Sequence, residues 1–303
     1  MSEASIPLPR RHGARLSLLT IWSLALPSAF LLIVLMVLPI ALVVIMSFTD
    51  YEMGDSHFSF VGFENYAALW QDNVFWRGLG NTLQYVLLVV PGAVILGLLQ
   101  AVLIHHLSWG KRLYQVLLFL PVTSTLVAMA TVWKYLMHGT IGPVNFFLTW
   151  LGFEGLEFFG NPDLVMPALA IIGIWALAGF NMVLFTAGLS AIPEDLYDAA
   201  SVDGLDHPLD RFWRITLPML APTTVFVTVT SSITAFKIFD TVAVLTRGGP
   251  QGASDVLLYT IYLEGFQYLR MAPAAAMTVI FLCIILAVAL IQNRILDRRK
   301  ASQ

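Results

Sequence analysis

PEDLYDAASVDGLDHPLDRFWRITLP, residues 193–218, lies between two long apolar runs. Pro193 suits the first turn of a helix, because its fixed φ fits and its missing N–H is not needed there. Glu194 and Asp195 follow, where the positive end of the helix dipole favours acids. Ala199, Ala200 and Ser201 give the helix small sides. Gly204 is placed to end it in a left-handed conformation. The stretch therefore predicts a short, small-sided helix in a loop between membrane spans. Such a helix can lie flush in a groove of a second protein. Read alone, the same residues also fit an ordinary amphipathic interfacial loop.

The rest of the chain supports the membrane setting. Its 303 residues are 58% hydrophobic and only 12% charged, against about 25% charged in soluble domains. That apolar excess is too large for one buried core and predicts an all-α polytopic membrane protein. Apolar runs occur near 18–48, 76–106, 113–137, 164–190, 216–237 and 272–292. About 20 residues cross the hydrocarbon, so each run is long enough to span, and the longer ones must tilt or protrude. Helix is the natural form, since backbone groups in lipid must be satisfied within the segment. Pro39, Pro91, Pro121 and Pro222 mark kinks or segment ends. The first run is too long for a signal-peptide core and reads as a true span. The net charge of −3 suggests no nucleic-acid role, and the single Cys283 has neither a disulfide partner nor a metal-ligand spacing around it.

Six spans put both termini on one side. That side carries Arg10, Arg11, Arg15, Lys111, Arg112, Arg211, Arg214, Arg294, Arg298, Arg299 and Lys300. The other side and its helix ends carry Arg77, Lys134, Lys237, Arg247 and Arg270. The excess of basic residues predicts cytoplasmic termini and a cytoplasmic 191–215 loop. Across the membrane, Phe63, Tyr66, Ala67 and Trp70 have helical spacing and predict a short amphipathic surface helix. Residues 139–163 are rich in Gly and Pro and predict a loop with a short helix. Residues 246–252, TRGGPQG, predict a tight turn.

Catalytic and nucleotide-binding motifs are missing. The sequence has no G-x-x-x-x-G-K-[ST] phosphate loop, no H-E-x-x-H, no G-x-S-x-G and no Rossmann glycine fingerprint. His105 and His106 are adjacent and cannot share a helical face, which makes them a poor metal pair. The polar residues inside spans are more informative. Asn181 lies in the fourth run, and Ser231, Ser232, Thr234, Lys237 and Asp240 lie in or just beyond the fifth. Polar and ionisable groups within spans face the bundle or a water-filled cavity. Trp175, Phe180 and Phe236 supply flat faces beside these hydrogen-bonding groups, as sugar-stacking surfaces or as ordinary packing. Lys237 and Asp240 are three residues apart and could pair on one helix face.

These residues carry a resemblance to a known family. Asp198-Ala199-Ala200, Asp203-Gly204 and Ile215, Leu217, Pro218 resemble the cytoplasmic E-A-A…G…I-x-L-P coupling motif of ABC importer permeases, with Asp198 in place of Glu. Phe60 to Tyr66, Gly179-Phe180-Asn181-Met182, Gly188 to Pro193, Phe236 to Asp240 and Leu245 to Pro250 resemble, in order, segments of the carbohydrate-type permeases of sugar and glycerol-phosphate importers related to the maltose system.

The resemblance implies six transmembrane helices in a type I importer fold. It implies a cytoplasmic tail at 1–17, a first transmembrane helix and external segment at 18–75, a permease core at 76–293 and a second cytoplasmic tail at 294–303. Within the core, the loop 191–215 would couple to an ATPase through Glu194, Asp198, Ala199, Ala200, Asp203 and Gly204. The substrate path would be bordered by Trp175, Phe180, Asn181, Ser231, Thr234, Phe236, Lys237 and Asp240. A second related permease, two ATPase subunits that hold ATP and Mg, and an extracytoplasmic solute-binding protein would complete an importer of a sugar-like solute. The chain would then be a multi-pass inner-membrane protein among lipid, with no catalytic or metal site of its own. The other readings are a secondary transporter or channel that uses no ATP, and a membrane scaffold without transport.

Overall fold

The computed structural model describes residues 18–300. The 1–17 tail, with Arg10, Arg11 and Arg15, lies outside the described residues, as do 301–303 of the second tail. The described chain is helical, with one isolated antiparallel bridge between Thr49 and Phe60. Helix α1 covers 18–46 and contains a π-helical turn at Ile33–Val37, just before Pro39. The helices α2 (Glu64–Gln71), α3 (Asn73–His105), α4 (Lys111–Thr123), α5 (Leu126–Leu136), α6 (Pro143–Trp150) and α7 (Pro162–Ser190) follow. Then come α8 (Glu194–Val202), α9 (Pro208–Met219), α10 (Ala221–Phe236), α11 (257–267) and α12 (Met271–Lys300).

Four helices are long and apolar enough to cross a bilayer unbroken, within Ala25–Met46, Asn73–His105, Pro162–Ser190 and Met271–Gln292. The third and fifth apolar runs are each broken into two helices. α4 and α5 meet at 101°, and α9 and α10 at 66°. Counting each bent pair as one span gives six. The breaks have local causes. Ser124 and Thr125 are extended between α4 and α5, directly after the turn that contains Pro121. Between α9 and α10, Pro222 has no N–H to return to the carbonyl four residues back, Pro218, so the ladder cannot continue. Pro91, by contrast, sits inside the unbroken α3.

In lipid, helices are drawn together by close packing more than by hydrophobic transfer, so small residues gather at their contacts. The principal contact is α3 against α7, and it follows this rule. A Cβ added to Gly97 of α3 would lie 2.5 Å from Cβ of Asn181, and one added to Gly179 of α7 would meet the Leu118 carbonyl of α4. Around these contacts Val89, Leu169, Ile172, Met182 and Phe185 are fully buried. α1 has no buried residue over Ala25–Met46, so its apolar surface faces outward from this chain.

The segments away from α8 are tied to span ends by side-chain hydrogen bonds. Asn65 donates to the carbonyls of Ser47 and Thr49 and fixes α2 at the end of α1. Within α2, Leu69 is buried and Tyr66 half-buried, while Phe63 and Trp70 of the expected face stay exposed. The 246–256 loop is held by α3. Asn81 donates to the Gly252 and Asp255 carbonyls, the Leu257 N–H donates to Thr82 Oγ1, and Arg77 lies 3.7 Å from Asp255. Burial raises the Asp255 carboxyl above its ordinary pKa, against the opposing pull of the Thr260 hydrogen bond and Arg77.

Candidate functional site: the 191–215 loop and the polar spans

The expected helix of the 191–215 loop is present as α8. Pro193 precedes it with an extended ψ of 133°, and Glu194 and Asp195 occupy its first turn. Its end is a Schellman motif. Gly204 has φ +80°, its N–H donates to the Ser201 carbonyl, and the Leu205 N–H donates to the Ala200 carbonyl at 2.8 Å.

α8 has two faces. On the inner face, Ala200 is buried and the Tyr197 hydroxyl lies 2.9 Å from Thr216 Oγ1 of α9. Glu194, Tyr197 and Asp198 border a cleft of about 1130 Å³ between α8, the end of α3 and α9. On the outer face, Leu196, Ala199, Val202 and Asp203 are exposed, Val202 at 89%. The expected docking residues therefore divide. Ala199, Asp203 and Gly204 face outward, whereas Ala200 lets the helix lie close to its own chain, and Glu194 and Asp198 reach the cleft.

Arg211 was counted in the sequence only as a cytoplasmic cation, yet it locks this loop. Its Nε donates to the Leu205 carbonyl at 2.6 Å, and its Nη2 donates to Ser201 Oγ at 2.7 Å and to Asp206 Oδ1 at 3.3 Å. Nothing in the local spacing announces that role, because the contacts are made by the turn that Gly204 permits. Val202 was also missed. Its signal was an apolar side chain at the end of an otherwise polar helix.

The eight residues expected along a substrate path do not form one surface. Asn181 and Ser231 are buried together where α7 meets α10, with Ser231 Oγ donating to Asn181 Oδ1 at 3.1 Å. The next residue, Ser232, accepts from Gln292 of α12 at 3.0 Å. A polar seam thus crosses the bundle, and Asn181 Nδ2 within it is buried without a hydrogen-bond partner among the described residues. Trp175 packs edge-to-face on Trp133 of α5, with centroids 5.6 Å apart. Phe236 is 2% exposed and packs on Phe281 of α12, so it faces away from any open path in this chain.

Phe180, Thr234, Lys237 and Asp240 are exposed. The i, i+3 pairing open to Lys237 and Asp240, the alternative to a substrate contact, does not occur. α10 ends at Phe236, Lys237 is its cap at ψ 21°, and the helical geometry the pair needs is lost. Among the described residues Lys237 has no side-chain partner. With Thr230 and Thr234 it continues one face of α10, at the i, i+4, i+7 spacing.

Residues 66–302 match the family model described as "Binding-protein-dependent transport system inner membrane component". The sulfoquinovosyl glycerol transport system permease protein SmoG of Agrobacterium fabrum is 34% identical over 274 residues, 89% of this chain and 88% of that protein. The sn-glycerol-3-phosphate transport system permease protein UgpA of Yersinia enterocolitica is 31% identical over 243 residues, 79% and 81% of the two chains. Among solved structures, a chain of the bacterial alginate ABC transporter in complex with alginate pentasaccharide-bound periplasmic protein superposes with a TM-score of 0.81. It is 25% identical, and the match covers 92% of this chain and 94% of that one. With its four unbroken apolar helices, its two bent helix pairs and a family match that runs from residue 66 to 302, this chain belongs to the inner-membrane permease components of binding-protein-dependent transport systems.

Proposed function

We propose that this chain is one permease subunit of an ATP-driven importer for a sugar-like, oxygen-rich solute that carries an anionic group. The observation that carries the ATP-driven part is α8. It is a short helix between two apolar stretches, it is fastened by Arg211, and its outer face carries the small Ala199 and the exposed apolar side chains of Leu196 and Val202. One of two ATPase subunits that hold ATP and Mg would grip this helix, and the pair would supply the energy, since the sequence has no phosphate loop. Closure of the ATPases would move α8 and the spans it joins, shifting an inward-open to outward-open equilibrium by differential binding. A second related permease would cover the outward-facing surfaces of α1 and α10. An extracytoplasmic solute-binding protein would deliver solute on the side opposite α8, and both termini would be cytoplasmic.

The solute reading rests on Lys237, exposed at the end of α10 with no side-chain partner among the described residues, where a cation needs water, a partner or a ligand. Beside it lie the exposed Thr234 and the half-buried Thr230, whose hydroxyls donate within the helix. The names of the relatives agree in chemistry. One is a glycerol-phosphate permease, and a similar solved transporter imports the acidic polysaccharide alginate. A proton- or ion-coupled transporter is the weaker reading, because ionisable residues are sparse inside the spans.

The test is purification of the complex with its ATPases and binding protein, followed by ATPase measurement in liposomes. Hydrolysis stimulated severalfold by solute-loaded binding protein is expected. Uptake that proceeds without ATP and follows an ion gradient would reject the reading.

A further inference from the structure

α6 and the residues around it form an unusual surface at the end of the bundle opposite α8. From Ile141 to Phe153 the sequence IGPVNFFLTWLGF carries no charged residue. Its large side chains point outward. Ile141, Phe146, Phe147, Trp150, Leu151 and Phe153 are all at least half exposed, Phe146 at 77% and Trp150 at 74%. The Phe147 and Trp150 rings stack on each other with centroids 5.9 Å apart. Contiguous exposed apolar surface of this kind marks contact with a protein, a ligand or a membrane.

The surface is tied to the end of α5. Asn145, 2% exposed, donates to the carbonyls of His138, Gly139 and Leu156, and its Oδ1 accepts from the Leu156 N–H at 2.8 Å. His138 and Gly139 lie two and three residues beyond the end of the α5 span. α6 is therefore pinned beside the end of α5, which is a span end if the bent α4–α5 pair counts as one span. Polar and charged groups return on either side of the apolar stretch, at the exposed Lys134 and His138 and at the exposed Glu154 and Glu157. Trp and Phe flanked by charge at a span end match the chemistry of the membrane–water boundary, where aromatic rings settle among headgroups.

We infer that α6 is an interfacial anchor that lies in the headgroup region of the leaflet opposite the coupling helix, with Phe146, Phe147 and Trp150 inserted among lipid chains. A lipid surface fits this face better than a protein does. The stretch offers no charge for register with a partner, and it continues the lipid-level surface of α5, where Val127, Val132 and Tyr135 are also exposed. Anchored in this way, α6 would hold the bent α4–α5 span at a constant depth while other spans move.

The test uses the full transporter complex in liposomes, with other cysteines removed and Cys283→Ser in this chain. Nitroxide labels are placed one at a time on Phe146→Cys, Trp150→Cys and, as a water-facing control, Glu154→Cys. Expected is greater relaxation by oxygen than by a water-soluble nickel chelate at the first two sites, and the reverse at the third. Dominance of the nickel chelate at Phe146 and Trp150 would overturn the inference, since the face would then be in water. Exclusion of both reagents with immobilised spectra would also overturn it, because protein would cover the face. Should a cysteine variant not assemble, Trp150→Phe keeps the fold. The fraction of tryptophan fluorescence quenched by headgroup-proximal brominated lipids should then fall relative to the parent, and an unchanged fraction would count against lipid contact.

Discussion

Gly204 is the residue on which the loop geometry turns. Its φ of +80° is one that side chains with a Cβ adopt at a cost of about 1 kcal/mol or more, yet apart from its chain neighbours no described atom lies within 4 Å of where a Cβ would stand. Gly204→Trp is therefore strained by backbone and not by collision within this chain, and its indole projects from the loop that Arg211 fastens. Expected is correct membrane insertion with loss of uptake and of solute-stimulated ATPase activity, whereas Gly204→Asn retains more of both. Normal transport by the tryptophan variant would show that no partner sits on this loop. Lys237 poses a different question. Asp240 is not its partner, so Lys237→Gln should not destabilise the chain through a broken ion pair. Uptake of an anionic solute should drop about tenfold, and uptake of a neutral analogue should change little, since one lost charged contact is worth about 1.4 kcal/mol or more. Equal losses for both solutes would remove Lys237 from the solute path.

At the scale of elements, side-chain amides decide where short helices sit. α6 is set against the end of α5 almost wholly through Asn145, whose bonds replace those of a regular turn. Asn145→Ala removes the four hydrogen bonds that tie α6 to His138, Gly139 and Leu156 and should cost about 1–3 kcal/mol locally. The expected result is faster hydrogen exchange and earlier proteolysis across 138–157, with the α3–α7 contact unaffected. Exchange that stays slow there would mean that membrane contact alone holds α6. The broken spans teach a related lesson. The runs 113–137 and 216–237 read as single spans from hydropathy, because hydropathy averages over a window and registers no backbone direction. Two extended residues at 124–125 and the Pro218–Leu220–Pro222 geometry turn each run into two helices.

For the whole molecule, topology is the testable quantity. The basic side of the chain includes Lys111 and Arg211 beside α8, so α8 and the termini share the cytoplasm if the charge asymmetry governs insertion. A reporter active only outside the cytoplasm should be silent when fused after Gln303 and active when inserted at Gly155. The reverse pattern would place α8 where no ATPase can reach it. The same asymmetry puts α6 and the α3-bound 246–256 loop together on the opposite side, where delivery of solute would take place.

The membrane class, the positions of the six apolar runs, α8 with its capping glycine, and the family itself were legible from local pattern. Hydropathy, proline placement, small-residue runs and motif order are properties of neighbours along the chain. The faces of those helices were not legible. Which way Ala200 or Phe236 points depends on what α9 and α12 place opposite them. Arg211 became a clamp only when a left-handed turn brought Leu205 and Ser201 to it. Lys237 does not pair with Asp240 because its helix ends at Phe236, short of the turn that would carry both residues. Asn145 looked like a loop residue until three carbonyls from two other turns converged on its amide. Contacts made across the fold, between residues far apart or facing in unexpected directions, are fixed by tertiary packing, and no spacing in the sequence records them.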